Sequence, residues 1–451
     1  MRISVIGTGY LGATHAACLA EHGHMVVGVD TDKEKVTALC EGRLPFFEPG
    51  LEKLLQTHLA SGRLRFSTDI VDAADADVHF LCVGTPQRSD SMGADVTYLE
   101  SAIEQLAPLL ERPCLVVGKS TVPVGTAQRL CDRLTTLSPA GPAVRLAWNP
   151  EFLREGFAVE DTLHPDRLVF GVSDSNSEAT LRDIYSAQIA SGVPVILPSL
   201  PTAELAKASA NAFLATKVSF INAVAELCDA TGANVLDLEE VLGHDSRIGR
   251  RFLHAGLGFG GGCLPKDIRS LITRAGELGV GHAFAFLSEV DAINMRRRQR
   301  VVDLSRQLVD ESFIGRNVAV LGAAFKPDSD DVRDSPALNV AGQIHLQGAH
   351  VTVYDPKAID NARRLFPTLS YARSALDACD GADLVLHLTE WPEFRALDPA
   401  ELAQVTRRQL VLDARNCLDQ QRWQEAGWLY RGLGQPVSAP NGAGNREAQP
   451  L

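Results

Sequence analysis

An apolar run rich in branched residues, Arg2–Ile6, leads directly into the glycine pattern GTGYLG. From Leu11 onward, small and apolar residues recur at helical spacing, so this stretch predicts a strand, a tight turn and a helix. Later apolar runs alternate with helical patterns in the same way. They are Met25–Val29, Val78–Val83, Cys114–Val117 and Leu168–Gly171. The alternation predicts a mostly parallel α/β sheet.

The α/β pattern stops near Pro201 and restarts at Gly315 with NVAVLG, HVTVYD, ADLVLHL and QLVLDA. Ala, Leu, Glu and Lys dominate up to Arg300, which predicts helices. After the restart, a helix is expected to begin near Ser335. We therefore expect two Rossmann-like doubly wound α/β domains, joined by a helical central domain with a long helix. The predicted boundaries are 1–200 for the N-terminal domain, 201–300 for the central domain, 301–434 for the C-terminal domain and 435–451 for a disordered tail.

Composition narrows the classes of function. The formal net charge of -13 over 451 residues gives no basic surface for nucleic acid or anionic lipid. No apolar run reaches the length of a membrane span, and no secretory leader pattern is visible, so we expect a cytoplasmic protein without membrane or nucleic-acid partners. The nine cysteines are odd in number and form no C-x-x-C pair, so neither a disulfide framework nor a metal site is expected.

The first glycine pattern predicts a dinucleotide site. Gly7 would make the tight turn, Gly9 would admit the pyrophosphate, and Gly12 would let the helix pack closely. Asp30 follows the second predicted strand, where it would bind the ribose hydroxyls and repel a 2′-phosphate, which favours NAD over NADP. Lys35 either lies at the ribose edge and relaxes that preference or is solvated. The alternative for the whole motif is a turn that only packs helix on strand.

A second glycine-rich segment, GLGFGGGCLPKD, places five glycines ahead of Cys263. Such a loop lets backbone approach a ligand and can point amides at an oxyanion. Pro265 could begin a helix, with Asp267 one turn after the thiol. Together with Lys266, this setting predicts that Cys263 is a nucleophile. The other eight cysteines, among them Cys18, Cys82 and Cys114, are interpreted as buried apolar residues.

Two polar pairs are spaced four residues apart. In NPEFLREG, Glu151 and Glu155 would share one face of a helical turn and could hold a water or take a proton, whereas the alternative is a solvated acidic helix start. In AELAKASANAFLATK, Lys207 and Asn211 would share a helical face and could stabilise an alkoxide or oxyanion. The alternative for Lys207 is an ordinary solvated lysine.

Taken together, the motifs resemble the UDP-glucose dehydrogenase family over about residues 1–430. The motifs, in order, are GTGYLG, VGTP, KSTVPVGT, NPEFLREG, HPDR, ANAFLATK, DSRIG, GFGGGCLPKD and AFKPDSDDVRDSP. The resemblance implies oxidation of UDP-glucose to UDP-glucuronate with two NAD⁺, through a thiohemiacetal and a thioester on Cys263. The wider group includes GDP-mannose and UDP-N-acetyl-hexosamine dehydrogenases, which remain alternatives. A non-catalytic nucleotide-sugar sensor is an alternative of a different class.

The resemblance also implies roles for individual residues. The catalytic residues are Cys263, Lys207, Asn211, Asp267, Glu151 and Thr121. The cofactor-binding residues are Gly7, Gly9, Tyr10, Leu11, Gly12, Asp30, Lys35, Thr85, Thr121, Glu155, Lys266 and Arg333. The substrate-binding residues are Glu151, Phe152, Leu153, Glu155, Lys207, Asn211, Arg247, Phe259, Gly260 and Lys326. Arg247 would reach the substrate of a neighbouring subunit, which implies a homodimer or a higher homo-oligomer.

One departure from the family pattern lies beside the predicted nucleophile. The family usually has GGSC, whereas this chain has GGGC, so the hydroxyl before the thiol is missing at Gly262. Leu264 replaces a frequent phenylalanine. We expect a slightly more flexible loop, with any tuning of the thiol by that hydroxyl lost.

Overall fold

A computed structural model describes residues 1–436. The chain forms two compact units. Unit 1 comprises Met1–Ala212 and Lys266–Ala285, and unit 2 comprises Phe213–Pro265 and the chain from Phe286 onward. The chain therefore passes between the units within the predicted central segment. The three-domain boundaries given above remain a prediction.

Unit 1 contains a six-stranded parallel sheet with strand order β3-β2-β1-β4-β5-β6. Its strands are β1 Arg2–Ile6, β2 Met25–Val29, β3 Leu64–Ser67, β4 Val78–Leu81, β5 Cys114–Gly118 and β6 Val144–Trp148. Its helices are α1 Tyr10–Glu21, α2 Lys33–Cys40, α3 Leu51–Ala60, α4 Thr97–Leu106, α5 Thr126–Leu137, α6 Ala158–Leu163, α7 Ser175–Ile184 and α8 Ser186–Ala190. This order is the doubly wound one, so the predicted parallel α/β fold is confirmed.

The predicted strand at Leu168–Gly171 has a different place. Its regular part, β7 (Leu168–Val169), pairs in parallel with β8 (Val195–Ile196) in a separate two-stranded sheet. Gly171 meets Trp148 at the edge of the main sheet by an isolated antiparallel bridge, in which each amide donates to the other carbonyl. The edge of the six-stranded sheet is thereby partly covered instead of extended.

Long helices replace strands after Leu200, as the sequence predicts. They are α9 Leu200–Thr231, α10 Val235–Gly243, α11 Leu264–Glu277 and α12 Ala285–Leu308. The 32-residue α9 is the long central helix that the alanine-rich sequence favours. The first part of α9 and most of α11 belong to unit 1, and the remainder belongs to unit 2.

Unit 2 contains a second six-stranded parallel sheet, with strand order β11-β10-β9-β12-β13-β14. Its strands are β9 Asn317–Leu321, β10 His350–Tyr354, β11 Ser370–Tyr371, β12 Leu384–His387, β13 Leu410–Asp413 and β14 Leu429–Gly432. Its later helices are α13 Pro336–Leu346, α14 Ile359–Leu365, α15 Ala375–Cys379, α16 Pro392–Arg395, α17 Pro399–Val405 and α18 Gln420–Glu425. Ser335 caps α13 by accepting from the Leu338 amide, so the predicted start of that helix is confirmed.

The predicted tail, 435–451, lies almost entirely outside the described residues. Gln435 is described, is buried, and donates to Asn416 Oδ1 over 2.9 Å. The packed chain thus continues at least one residue beyond the predicted domain end at 434. Within residues 1–436, no helix is both long enough and apolar enough to cross a membrane.

Candidate active site

The first glycine turn has the geometry of a close backbone approach. Gly7 has φ +87°, and a Cβ there would lie 2.9 Å from the backbone of Val83. A Cβ on Gly12 would overlap the carbonyl oxygen of Gly7. At Gly9, by contrast, a Cβ would have no described atom within 4 Å, which leaves room above the start of α1. These three positions can therefore form a turn that receives a pyrophosphate at a helix N-terminus.

Asp30 follows β2 and faces this turn. Its Oδ2 accepts hydrogen bonds from Thr8 N over 2.8 Å and from Lys35 Nζ over 2.9 Å, and its Oδ1 accepts from Asp32 N over 3.0 Å. Burial alone would raise the pKa of the Asp30 carboxyl, but the hydrogen bonds outweigh it and hold this pKa below its usual value. Lys35 is thus paired with the acid and is not simply solvated.

Tyr10, in the glycine turn, is linked to a buried carboxylate that the sequence analysis missed. The Tyr10 hydroxyl donates to Glu48, which is 4% exposed. The same carboxylate accepts from the amides of Gly156 and Ala158, each over 2.7 Å. Glu48 therefore ties the cofactor turn to the end of NPEFLREG. Its only sequence signal is an acid in the turn motif FFEPG, and its partners lie 38, 108 and 110 residues away along the chain.

The segment NPEFLREG is an irregular loop, so the prediction of a helical turn is wrong. Pro150 lacks an amide hydrogen, and the amide of Leu153 donates to Glu151 Oε2 over 2.7 Å. The amide of Gly156 donates to Glu48 and not to a preceding carbonyl. Glu151 and Glu155 consequently do not share a helical face.

Asn149, the first residue of this loop, is held by hydrogen bonds from two buried side chains. Its Oδ1 accepts from Lys119 Nζ over 3.1 Å and from the Tyr185 hydroxyl over 2.6 Å. Lys119 is buried, and burial lowers the pKa of its ammonium to about 8. Farther along the loop, the Arg167 guanidinium of HPDR stacks 3.8 Å from the centre of the Phe152 ring. The loop is thus fixed at both its first residue and its aromatic side chain.

One face of α9 brings two predicted residues, Lys207 and Asn211, together with their partners. Lys207 Nζ lies 2.9 Å from Glu151 Oε1. One turn later, Asn211 Nδ2 donates to Asp267 Oδ2 over 2.6 Å. Lys266 Nζ lies 2.6 Å from the other oxygen of Asp267, which is 2% exposed. Lys207 and Asn211 are themselves buried, so the interpretation of Lys207 as an ordinary solvated lysine is excluded.

Thr121 lies in the segment that leaves β5 toward α5. Thr85, from VGTP, donates its hydroxyl to the Thr121 carbonyl over 2.7 Å, so these two predicted residues are in contact. A cavity beside Thr121 is lined by Glu204, Ala208, Lys266 and Asp267, among others. Unit 1 therefore places Thr121 and Asp267 on one cavity that could hold a water molecule.

In unit 2, the three successive glycines before Cys263 pack closely against the segment AFKPDSDDVRDSP. A Cβ on Gly260 would overlap the Asp334 carbonyl, and a Cβ on Gly261 would lie 2.9 Å from the Phe325 ring. At Gly262, a Cβ would overlap the guanidinium of Arg333. The space that a serine would need in GGSC is therefore filled by arginine in this chain.

The nucleophile loop has further anchors within unit 2. Asn294 of α12 accepts from the Phe259 amide over 2.8 Å and donates to the Phe259 carbonyl over 3.0 Å. Cys263 is exposed and directly precedes α11, in which Pro265 is the second residue, so the predicted helix start is confirmed. An exposed thiol after a fixed backbone loop is a geometry suited to covalent attack.

The other cysteines are only partly as predicted. Cys18, Cys82, Cys114, Cys228 and Cys379 are buried. The prediction is wrong for Cys40, which is exposed, and for Cys131 and Cys417, which are half-buried. Cys40 is the last residue of α2, Cys131 lies within α5, and Cys417 lies in the loop between β13 and α18.

Two substrate residues predicted for unit 2 are exposed or stacked. The Arg247 side chain is 87% exposed and pairs with Asp245 over 2.6 Å. Lys326 Nζ lies 5.8 Å from the centre of the adjacent Phe325 ring. Arg247 is exposed, and Lys326 is half-buried.

The second sheet holds its equivalent acid differently. Asp355 follows β10, as Asp30 follows β2, but it is 2% exposed. Its Oδ2 accepts from the amides of Ala323 and Ala324 and from the Trp391 indole, and its Oδ1 accepts from the amides of Lys357 and Ala358. Four of these five donors are backbone amides, so this carboxylate is part of the packing.

A doubly wound sheet with a glycine turn and an acid after its second strand defines a dinucleotide-binding fold. Family models of the UDP-glucose/GDP-mannose dehydrogenases match three parts of the chain. The NAD binding domain matches residues 1–189, the central domain 201–296, and the UDP binding domain 319–420. The chain belongs to the UDP-glucose/GDP-mannose dehydrogenase family. It is an NAD-dependent nucleotide-sugar dehydrogenase.

Individual relatives agree along the whole length. A UDP-glucose 6-dehydrogenase of Rhizobium meliloti (strain 1021) is 40% identical over 439 residues, which are 97% of this chain and 100% of that protein. The structure of a UDP-glucose dehydrogenase from Pyrobaculum islandicum is similar with TM-score 0.88 and 38% identity, over 96% of this chain and 98% of that one. A UDP-D-ManNAc dehydrogenase from Pyrococcus horikoshii has TM-score 0.84 and 27% identity, over 97% and 100%.

Proposed function

We propose that this protein oxidises the C6 alcohol of UDP-glucose to the carboxylate of UDP-glucuronate. The observation that carries the proposal is the set of partners on α9, where Lys207 meets Glu151 and Asn211 meets Asp267. A buried ammonium, a buried amide and two carboxylates are the groups that a stepwise oxidation with proton transfers requires. The full-length identity to relatives named for this substrate supports the choice of UDP-glucose.

The cofactor would be held by the turn Gly7–Gly12 and by Asp30, with Tyr10, Leu11, Lys35 and Thr85 nearby. NAD⁺ supplies the two-electron oxidant, and two molecules are needed for each sugar. Tyr10 fixes the turn through Glu48, and Asp30 recognises the ribose and disfavours a 2′-phosphate. Glu155, Lys266 and Arg333 are proposed as further contacts to the cofactor.

The chemistry on the sugar is assigned to a few side chains. Lys207 stabilises the alkoxide and the later oxyanion, with Asn211 beside it. The Cys263 thiolate adds to the aldehyde carbon to give a thiohemiacetal, whose oxidation leaves a thioester. Water then cleaves the carbon–sulfur bond, releasing the carboxylate and regenerating the thiol. Thr121 positions that water.

The remaining carboxylates are assigned to proton transfer. Glu151 takes a proton from the attacking water, and Asp267 assists through an ordered water. Substrate binding is assigned to the backbone of Phe152 and Leu153, to Phe259 and Gly260 of the nucleophile loop, to Lys326, and to Arg247 of a neighbouring subunit. In the structure the Leu153 amide is bonded to Glu151. Binding of a diphosphate there would release the carboxylate for its catalytic role.

We also propose a homodimer in the cytoplasm. Phe213, Phe220 and Leu227 lie seven residues apart on α9 and are 67%, 54% and 64% exposed. Large apolar side chains repeated at this spacing on one helix are typical of a helix-mediated interface. Within residues 1–436, none of the nine cysteines forms a disulfide, which agrees with a reducing compartment.

The test is the stoichiometry of NADH. Purified protein is mixed with excess NAD⁺ and limiting UDP-glucose, and the NADH absorbance is followed to completion with wild type and Cys263→Ser. Two NADH per sugar, lost or stalled in the variant, supports the thioester route. One NADH per sugar would mean an alcohol dehydrogenase that stops at the aldehyde. Faster turnover of GDP-mannose or a UDP-N-acetyl-hexosamine would reject UDP-glucose, and binding of UDP-glucose without NADH would favour a sensor.

A further inference from the structure

A buried carboxylate that none of the roles above uses lies on α9, one turn before Lys207. Glu204 is 2% exposed. Its Oε2 accepts from the Gly125 amide over 2.7 Å, and its Oε1 accepts from the Ala127 amide over 2.6 Å. Both amides are at the start of α5, where free N–H groups and the helix dipole favour a negative charge.

The segment held by Glu204 is the one that carries Thr121. Between β5 and α5 this segment has no regular structure, and Gly125 turns the chain with φ +93°. Arg274 of α11 donates its Nε to the Val124 carbonyl over 3.0 Å. Thr85 donates to the Thr121 carbonyl, and Glu204 accepts from the Gly125 amide of the segment and from the Ala127 amide in the first turn of α5.

Glu204, Lys207 and Asn211 are three and four residues apart, so they lie on one face of α9. This face contacts three separate parts of unit 1. Glu204 meets the Thr121 segment, Lys207 meets the Glu151 loop, and Asn211 meets α11. The spacing on one rigid helix therefore sets the positions of all three relative to each other.

We propose that Glu204 is a positioning residue, which fixes the Thr121 segment relative to Lys207 for hydrolysis of the thioester. The proposal rests on the proposed function. Because Glu204 accepts hydrogen bonds from the backbone amides of Gly125 and Ala127, its loss should slow water attack more than substrate binding. It should therefore lower kcat and leave the KM for UDP-glucose nearly unchanged.

The test variant is Glu204→Gln. An amide side chain keeps the size but has one acceptor oxygen, so its NH₂ group must face a backbone N–H. The matched control is Asp174→Asn, since Asp174 caps α7 by accepting from Ser177 N over 2.9 Å, and α7 carries none of the proposed site residues. Arg274→Met is the second variant in case Glu204→Gln does not fold.

The first measurement is amide hydrogen exchange of the full chain without ligands, in peptides that cover residues 121–127. We expect exchange to accelerate about tenfold in Glu204→Gln, the size expected for one lost hydrogen bond, and not in Asp174→Asn. Arg274→Met should accelerate the same peptides. Unchanged exchange would overturn the proposal whatever the enzyme does, so this result is separate from the test of function.

The second measurement is the time course of NADH formation with saturating UDP-glucose. In Glu204→Gln we expect a rapid burst of two NADH per active site and then a slow phase, because thioester hydrolysis becomes limiting. The steady rate should fall about tenfold or more, while KM changes less than about threefold. If Glu204→Gln and Asp174→Asn lose equal amounts of the steady rate of NADH formation, without a burst, the role of Glu204 is structural only. If wild type forms no NADH, the proposed function fails, and the exchange result still decides whether Glu204 anchors the segment.

Discussion

Lys207 and Glu151 form an ion pair of 2.9 Å with side chains only 6% and 12% exposed. The pair joins α9 to a loop that has no helical hydrogen bonds of its own. It therefore has two consequences, one for the stability of the loop and one for the chemistry assigned to both residues.

Replacing Lys207 by methionine should leave a carboxylate that is buried without its cation. Breaking a buried pair on one side costs about 3 kcal/mol, so we expect a clear drop in Tm and a loss of NADH formation. The double variant Lys207→Met/Glu151→Gln should recover much of the Tm but none of the activity. Arg182→Met, which breaks the more exposed pair with Glu178, is the control and should cost less than about 1 kcal/mol. A double variant no more stable than Lys207→Met would contradict this account.

Gly262→Ser should lower the reactivity of Cys263, although it introduces the residue that the family usually has. A side chain at 262 must displace the Arg333 guanidinium, which Asp331 holds over 2.7 Å, and a cation beside the loop favours a thiolate. We expect Cys263 alkylation by iodoacetamide, measured by peptide mass spectrometry, to slow about threefold or more. Exposed Cys40 serves as the internal reference.

The same alkylation experiment with Arg333→Met distinguishes the effect of the arginine on Cys263 from the effect of the residue at position 262. Because both changes remove the guanidinium from Gly262, the double variant should react no more slowly than either single variant. Independent, multiplying effects would show that the serine acts without Arg333.

Asp30 should make stability depend on acid pH. Its pKa lies below the usual value in the folded protein, so the folded state binds this proton more weakly than the unfolded state. The resulting stabilisation is fully present above the unfolded pKa of about 3.9 and is lost as the pH falls through the lower folded value. In Asp30→Asn, the Tm should decline less steeply between about pH 5 and pH 3. A decline as steep as that of wild type would contradict the assignment.

Phe220→Glu should weaken the proposed homodimer. A charge in an apolar helix interface is desolvated without a partner, so the mass from sedimentation should shift from two chains toward one. Leu346→Glu is the control, because Leu346 is 86% exposed and lies on α13 and not on α9. An unchanged mass for Phe220→Glu would place the interface elsewhere.

Features with a local cause could be predicted from the sequence. The strand at Arg2–Ile6 and the acid at Asp30 follow from patterns within thirty residues, and the structure has both in place. The four-residue spacing of Glu151 and Glu155 was misleading, because a helix also requires backbone amides that donate to preceding carbonyls. Pro150 has no such amide, and Gly156 donates to Glu48.

Glu48 and Glu204 could not be identified for a different reason. Each is an ordinary acid within a short motif, and each accepts hydrogen bonds from backbone amides that are 77 to 110 residues away along the chain. Spacing along one helix indicates which residues share a face, as for Lys207 and Asn211. It does not indicate which distant loop that face will meet.

The two sheets have the same strand order, but the acids after β2 and β10, Asp30 and Asp355, differ in how firmly they are held. Asp30 is held partly by the side chains of Thr8 and Lys35, which can move, whereas Asp355 is held by four backbone amides and an indole. Asp355 could not accept hydrogen bonds from the hydroxyls of an adenosine ribose unless the bonds that hold the turn around it were broken. The architecture is thus present twice in each chain, yet a calorimetric titration with NAD should saturate at a single equivalent.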